Sequence, residues 1–214
     1  MNQTLPKIQV ARASKALALD DANAWQAFAA ITPLALADGS GPAVQQTRVR
    51  VCFDDRALYV RFDCDDRDIW GTYTQRDEPI YDEEAVEVFI APGAAAPIQY
   101  FEFQVSPNGI LFDATIYNPA STRADLKMDA SWQCPGLRWM ARRDDAHNVW
   151  WGAFAIPWSS VTADSRTPSV CRANFYRIER PRDAATEYSC WSPTLTDPAD
   201  FHKPARFGWL EFGA

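Results

Sequence analysis

Apolar and polar residues alternate with a period of two along much of this chain, and that alternation predicts strands. In the run Thr47-Arg48-Val49-Arg50-Val51-Cys52-Phe53, the side chains of Val49, Val51 and Phe53 share one face. After the turn Asp54-Asp55-Arg56, Leu58-Tyr59-Val60-Arg61-Phe62 repeats the pattern, which makes a hairpin with one apolar face. Val86–Ile90, Tyr100–Val105 and Ile110–Ile116 alternate in the same way. Ser106-Pro107-Asn108-Gly109 joins the last two, and Asn-Gly tolerates the positive φ of a tight reversal. Later strands are expected at Leu137–Arg143, Val149–Ile156, Ala173–Arg180, Glu187–Trp191 and Phe207–Phe212, set apart by Pro157, Pro168, Pro181 and Pro193. About ten strands at this spacing predict an all-β fold: a two-sheet antiparallel β-sandwich of jelly-roll or immunoglobulin-like type. Helical signal is confined to Asp20–Phe28, a turn or two capped by an acidic residue, so at most one or two short helices are expected.

The chain has 214 residues, no internal repeat and no linker, and residues 1–214 are expected to form a single domain. Aromatic residues make up 13%, including nine Trp, and the 9 Gly and 15 Pro suit short strands joined by turns. Net charge is −7 and the basic residues are scattered, which speaks against nucleic acid as a partner. No apolar run approaches the roughly 20 residues of a membrane-spanning helix, so a membrane is not an expected partner either. The opening Met1-Asn2-Gln3-Thr4-Leu5-Pro6-Lys7 lacks a secretory pattern. A cytoplasmic location is therefore the expectation, or a secreted one if a leader has been removed. Five cysteines, an odd number without a CxxC pair, are expected to be buried free thiols.

Two histidines, His147 and His202, are too few for a multi-histidine metal centre. Neither a G-x-S-x-G elbow nor a dinucleotide or triphosphate loop occurs, so nucleophilic catalysis and the common nucleotide cofactors have no motif to rest on. A polar set on the strands remains. If Val86, Val88 and Ile90 point inward, Glu87 points outward, and by the same alternation Tyr100, Glu102 and Gln104 share its surface. Such a mixture of hydrogen-bonding groups and ring faces suits a sugar, although a solvated sheet face is the ordinary reading.

Four segments, 76–90, 101–109, 191–194 and 200–208, carry a resemblance to a known family, among them Glu84-Ala85-Val86-Glu87-Val88-Phe89, Ser106-Pro107-Asn108-Gly109, Trp191-Ser192-Pro193-Thr194 and Asp200-Phe201-His202-Lys203-Pro204. Asp20–Trp25, the hairpin Phe53–Phe62 and Phe154-Ala155-Ile156-Pro157-Trp158 fall in the same order. Together they resemble carbohydrate-binding module family 9 over nearly the whole chain. The resemblance implies a β-sandwich that grips a sugar between two tryptophans, with a glutamate on its hydroxyls and calcium ions supporting the fold. It puts the glutamate at Glu87, while the two tryptophans fall on Tyr81 and Phe201, both smaller rings. Gln104 stands where an arginine is expected, and Arg76 or Arg177 is a substitute donor. Asn174 matches a family asparagine. Tyr176 and Arg177 cannot both face a ligand, and alternation does not choose between them.

The implied partner is a mono- or oligosaccharide of glucose or xylose type, bound without catalysis. Each residue also has an ordinary reading: Tyr81 and Phe201 as lids of the sandwich end, Trp191 as core, Glu87 in a cross-strand ion pair, and His202 as a loop hydrogen bonder. The acidic turn Asp63-Cys64-Asp65-Asp66-Arg67-Asp68 offers oxygens for calcium but lacks an EF-hand pattern, so a solvated turn is its ordinary reading and no cofactor is assigned. Two alternatives stand beside sugar binding: a glycosidase using Glu87 and Glu102 as an acid/base pair, and a partner-binding sandwich whose sugar site has decayed.

Overall fold

The computed structural model describes residues 4–213. Fourteen strands and two one-turn helices follow in order: β1 (Lys7–Arg12), α1 (Ala22–Trp25), β2 (Ala30–Ile31), β3 (Ala35–Leu36), β4 (Thr47–Phe53), β5 (Ala57–Asp65), β6 (Ala85–Pro92), β7 (Gln99–Val105), β8 (Leu111–Tyr117), β9 (Lys127–Asp129), β10 (Arg138–Asp144), β11 (Val149–Pro157), α2 (Trp158–Val161), β12 (Val170–Glu179), β13 (Glu187–Cys190) and β14 (Gly208–Phe212). The all-β class and the two short helices agree with the sequence pattern. At α1 the Asp21 side chain accepts a hydrogen bond from the Ala24 N–H, the acidic cap expected there.

The β4–β5 hairpin pairs Val49 with Phe62, Val51 with Val60 and Phe53 with Leu58. Asp54 holds its turn by accepting from the Arg56 and Ala57 amides at 2.8 and 2.9 Å. The Ser106–Gly109 reversal is closed by the Gly109 N–H on the Ser106 carbonyl, with Gly109 at φ +81°.

The expectation of purely antiparallel sheets needs correction. The ladder runs continuously as β10-β11-β5-β4-β1-β14-β12-β6-β7-β8-β9, and β1 is parallel to both of its neighbours. Its first residues pair with β14, Lys7 opposite Trp209 through Val10 opposite Phe212, and its last two pair with β4. A strand that changes partners midway turns a corner, so one mixed sheet curls round where two separate sheets were expected. The halves on either side of β1 enclose a main core that takes in Val49, Phe62 and Phe154 from one half and Val88, Phe103 and Phe175 from the other. Phe62 meets Phe175 edge-on across the gap at 6.2 Å. At Gly152 a Cβ would lie 2.7 Å from Val105 Cγ1 and 2.9 Å from Val86 Cγ2, so the two halves approach this closely only over glycine.

The second surface of β6, β7 and β12 is not solvated. Phe89, Tyr100, Phe112, Tyr176, Phe201 and Phe207 form a second buried cluster there, under the segment that follows β13. The signal for this was present in the sequence as aromatic residues on the nominally polar face. All five cysteines are buried and unpaired. No helix among the described residues is long and apolar enough to cross a membrane.

Candidate functional site

Between the second cluster and its covering loops lies a cavity of about 310 Å³, and Tyr81, Glu87, Gln104 and Phe201 all line it. β6 and β7 supply its floor, with Glu87 opposite Gln104 and Phe89 opposite Glu102. The 3-10 turn Ile80–Asp82 brings Tyr81 to the wall, anchored by the fully buried Ile80. Tyr81 is 36% exposed and packs its edge on Phe112 at 5.4 Å. Phe201 is held more deeply, at 7% exposure: one face stacks on Tyr176 at 4.2 Å, and the Tyr176 hydroxyl donates to the Phe201 carbonyl. The Asn118 side chain fixes the same loop by donating to the His202 carbonyl at 3.2 Å.

The floor is rich in acceptors. Glu87 is 2% exposed, and its carboxyl makes no side-chain hydrogen bond among the described residues. One Glu102 oxygen accepts from Gln104 Nε2 at 2.5 Å, while Glu102 Oε2 and Gln104 Oε1 are buried without a partner. Burial, reinforced by the neighbouring Glu102 charge, pushes the Glu87 carboxyl well above the usual carboxylate range. Burial raises Glu102 to about 7. His202 goes the other way: burial lowers it to about 4, so the ring is neutral near pH 7. Its Nδ1 shares a 2.8 Å hydrogen bond with the Tyr100 hydroxyl, and its Nε2 lies 4.0 Å from Glu102 Oε2.

Four of the nominated residues lie elsewhere: strand direction removes Arg177, and contacts of their own occupy the other three. On β12, Phe175 and Arg177 face the main core, whereas Asn174 and Tyr176 face the covering loops. Arg177 is therefore on the wrong side of the sheet for this cavity. It sits fully buried against Asp66 and Glu179. Asn174 clamps the covering segment, donating to the Ser192 carbonyl and accepting from the Ser192 N–H. Tyr176 lies beneath Phe201 as its support. Arg76 pairs with the buried Asp113 at 2.5 Å and covers Trp139, which turns it away from the cavity. Trp191 stacks on Phe175 at the edge of the main core. Sequence reasoning did not nominate Arg123, Arg180, Tyr188 or His202 as ligand-site residues, yet all four line the cavity. They come from separate loops and strand ends, where no periodicity reports direction. The aromatic neighbour Phe201 was the one local hint for His202.

The acidic turn is largely occupied by arginines: Asp63 by Arg50 and Arg61, Asp65 by Arg48, and Asp68 by Arg182. Asp66, Glu84 and Glu179 bring carboxylate oxygens within 4.8 Å of one another, the one such group of potential metal ligands among the described residues. The Arg177 guanidinium already bridges Asp66 and Glu179 there. Calcium takes six to eight oxygens, and three carboxylates shared with a guanidinium do not fit it.

The geometry can be set beside known proteins. The family model of carbohydrate-binding family 9 matches residues 16–212. The chain belongs to carbohydrate-binding family 9. Membership makes non-catalytic binding of carbohydrate its function. A protein of Arthroderma benhamiae named "Extracellular protein" is 26% identical over 174 residues, 78% of each chain. Among solved structures, a candidate carbohydrate-binding protein of Bacteroides uniformis superposes with a TM-score of 0.78 at 15% identity, covering 98% of this chain and 100% of that one. A family 9 module of Caldicellulosiruptor kristjanssonii, in complex with cellotriose, superposes with a TM-score of 0.67 at 13% identity, covering 98% and 94%. Its glucose complex gives 0.64 at 13% identity, covering 98% and 96%.

Proposed function

We propose that the cavity over β6 and β7 is the saccharide site of this family 9 chain, taking a mono- or oligosaccharide of glucose or xylose type. The observation that carries this reading is that Tyr81, Glu87, Gln104 and Phe201, spread over 121 positions of sequence, line one cavity. Glu87 and Gln104 meet the hydroxyls, and Tyr81 offers its half-exposed face to the C–H side of the ring. Phe201 has one face taken by Tyr176, so it lends an edge or its remaining face. The glucose and cellotriose complexes of the Caldicellulosiruptor module support the choice of sugar class. The two facing halves support reading the scaffold as a sandwich closed along one edge by β1.

Binding goes without cleavage. The buried pair Glu87 and Glu102, with raised carboxyls, is the observation that favours a glycosidase as a second reading. Calorimetric titration with glucose, xylose, cellobiose and xylobiose tests the first. Saturable heat lost in Glu87→Gln supports it, and silence with every sugar overturns it. Release of an aryl leaving group from an aryl glycoside, abolished in the same variant, would establish the second.

A further inference from the structure

We propose that the cavity is built for an amino sugar, a hexosamine whose ammonium group seats between Glu87 and Glu102. The proposal rests on the saccharide-binding reading above and narrows it.

The argument begins with the polar inventory of the floor. Glu102 Oε2 and Gln104 Oε1 are buried without a hydrogen-bond partner, and the Glu87 carboxyl lies beside them at 2% exposure. Most donors near by are engaged: Arg123 pairs with Asp200 at 3.2 Å and His202 Nδ1 shares a hydrogen bond with Tyr100, while Arg180 donates to the Tyr188 hydroxyl at 2.9 Å and keeps its buried Nε without a partner. A neutral hexose brings a lone-pair acceptor with every hydroxyl proton it donates, so it meets an acceptor-rich floor with a mixed set. An ammonium brings three donors and no acceptor. That is the complement of the floor once the carboxyl pair gives up a proton.

Placement and charge agree. Glu87 lies opposite Gln104 and Glu102 lies opposite Phe89, so the two glutamates are diagonal neighbours across an antiparallel pair. Such positions stand about 7–8 Å apart, with side chains free to converge on one small group between them. Both carboxyls are strongly desolvated and repel each other, and a positive charge between them relieves both penalties at once. The other charged or titratable groups around the cavity are Tyr81, Asp82, Arg123, Arg180, Tyr188 and His202. His202 is neutral, Arg123 pairs with Asp200 and offsets the two carboxyls only in part, and Arg180 has the uncharged Tyr188 hydroxyl as its side-chain partner. Arg180 therefore defines the rival ligand, a sugar acid.

The test is calorimetry on the full chain at about pH 6.5, where an amine of this kind is protonated. The probes are glucose, glucosamine, N-acetylglucosamine and glucuronate. Glucosamine is expected to bind about ten-fold or more tighter than glucose, as a charge-assisted hydrogen bond in a desolvated site provides. N-acetylglucosamine, which has lost the charge, is expected to lose that advantage on the unaltered protein. Repeating the titration in buffers of different ionisation enthalpy should show glucosamine, but not glucose, displacing a proton from the carboxyl pair. In Glu102→Gln the glucosamine-to-glucose ratio should fall toward one. Equal or tighter binding of glucose, or tightest binding of glucuronate, overturns the amino-sugar assignment and leaves the saccharide site standing. Silence with all four overturns both.

Discussion

Two groups of buried carboxyls lie on opposite sides of the sheet, and they are treated in opposite ways. Asp66, Glu84 and Glu179 gather round Arg177, a guanidinium supplied by β12 and as buried as they are. Glu87 and Glu102 share a cavity in which no cation touches either carboxyl among the described residues. In the first group the compensating charge is covalently part of the chain, and no ligand is needed. In the second the compensation is left to protons and to whatever enters. Buried acid is costly in both places, and the location of its counter-charge separates scaffold from site.

The comparison breaks most severely if Arg177 is removed. Arg177→Met should destabilise the protein by about 3–5 kcal/mol in denaturant unfolding, because three carboxyls are left buried with no positive partner. An unfolding midpoint close to that of the unaltered protein would mean that the guanidinium does not hold the cluster. The cavity should answer oppositely. Glu87→Ala is expected to weaken sugar binding about ten- to a hundred-fold, the cost of leaving a bound hydroxyl buried without its partner, without lowering the unfolding midpoint.

A pH series sharpens the contrast. Burial, with the Asp66 charge next, pushes Glu84 up to about 9, and burial pushes Glu179 to about 7. Both groups hold protons more tightly folded than unfolded. Their contribution is thus fully present below the ordinary carboxylate range near 4.5 and is lost as pH rises through 7 toward 9. Thermal unfolding should fall over that window, and Glu84→Gln should flatten the fall, gaining roughly 2–4 °C at the alkaline end per kcal/mol relieved. A melting temperature that rises with pH over the same range would contradict the cluster's burial. The smallest effect is expected at Tyr81. Tyr81→Ala should cost about three- to ten-fold in sugar affinity and leave the unfolding midpoint within about 0.5 kcal/mol, as suits a half-exposed ring on a turn.

How far the sequence revealed this arrangement depends on the kind of signal each residue carries. Alternation located β4 through β8 and β10 through β14, most clearly where three apolar residues share one face, as Val86, Val88 and Ile90 do in β6. It passed over β1, where only Ile8 and Val10 alternate, and with it the parallel pairing that curls the sheet. Tyr81, Glu87, Gln104 and Phe201 were nominated through family order, and they line one cavity. Alternation left the side of Arg177 open because β12 is apolar or aromatic on both faces, so periodicity gave its strand no inside. Asn174 and Arg76 have polar partners, Ser192 and Asp113, that only the folded chain brings near. Arg123, Arg180 and His202 owe their positions to loop paths and strand ends, about which a period of two is silent.

Strand β1 also governs the order in which the molecule can be finished. Its ladder to β14 joins residues 202 positions apart, and a 2.7 Å ion pair from Lys7 to Glu211 spans nearly the whole chain. Closing so long a loop forfeits more chain entropy than any local hairpin does, and on a ribosome the partner strand emerges long after β1. The clasp that unites the two halves is thus a late event in folding, and the hairpins on either side must hold their own until it shuts.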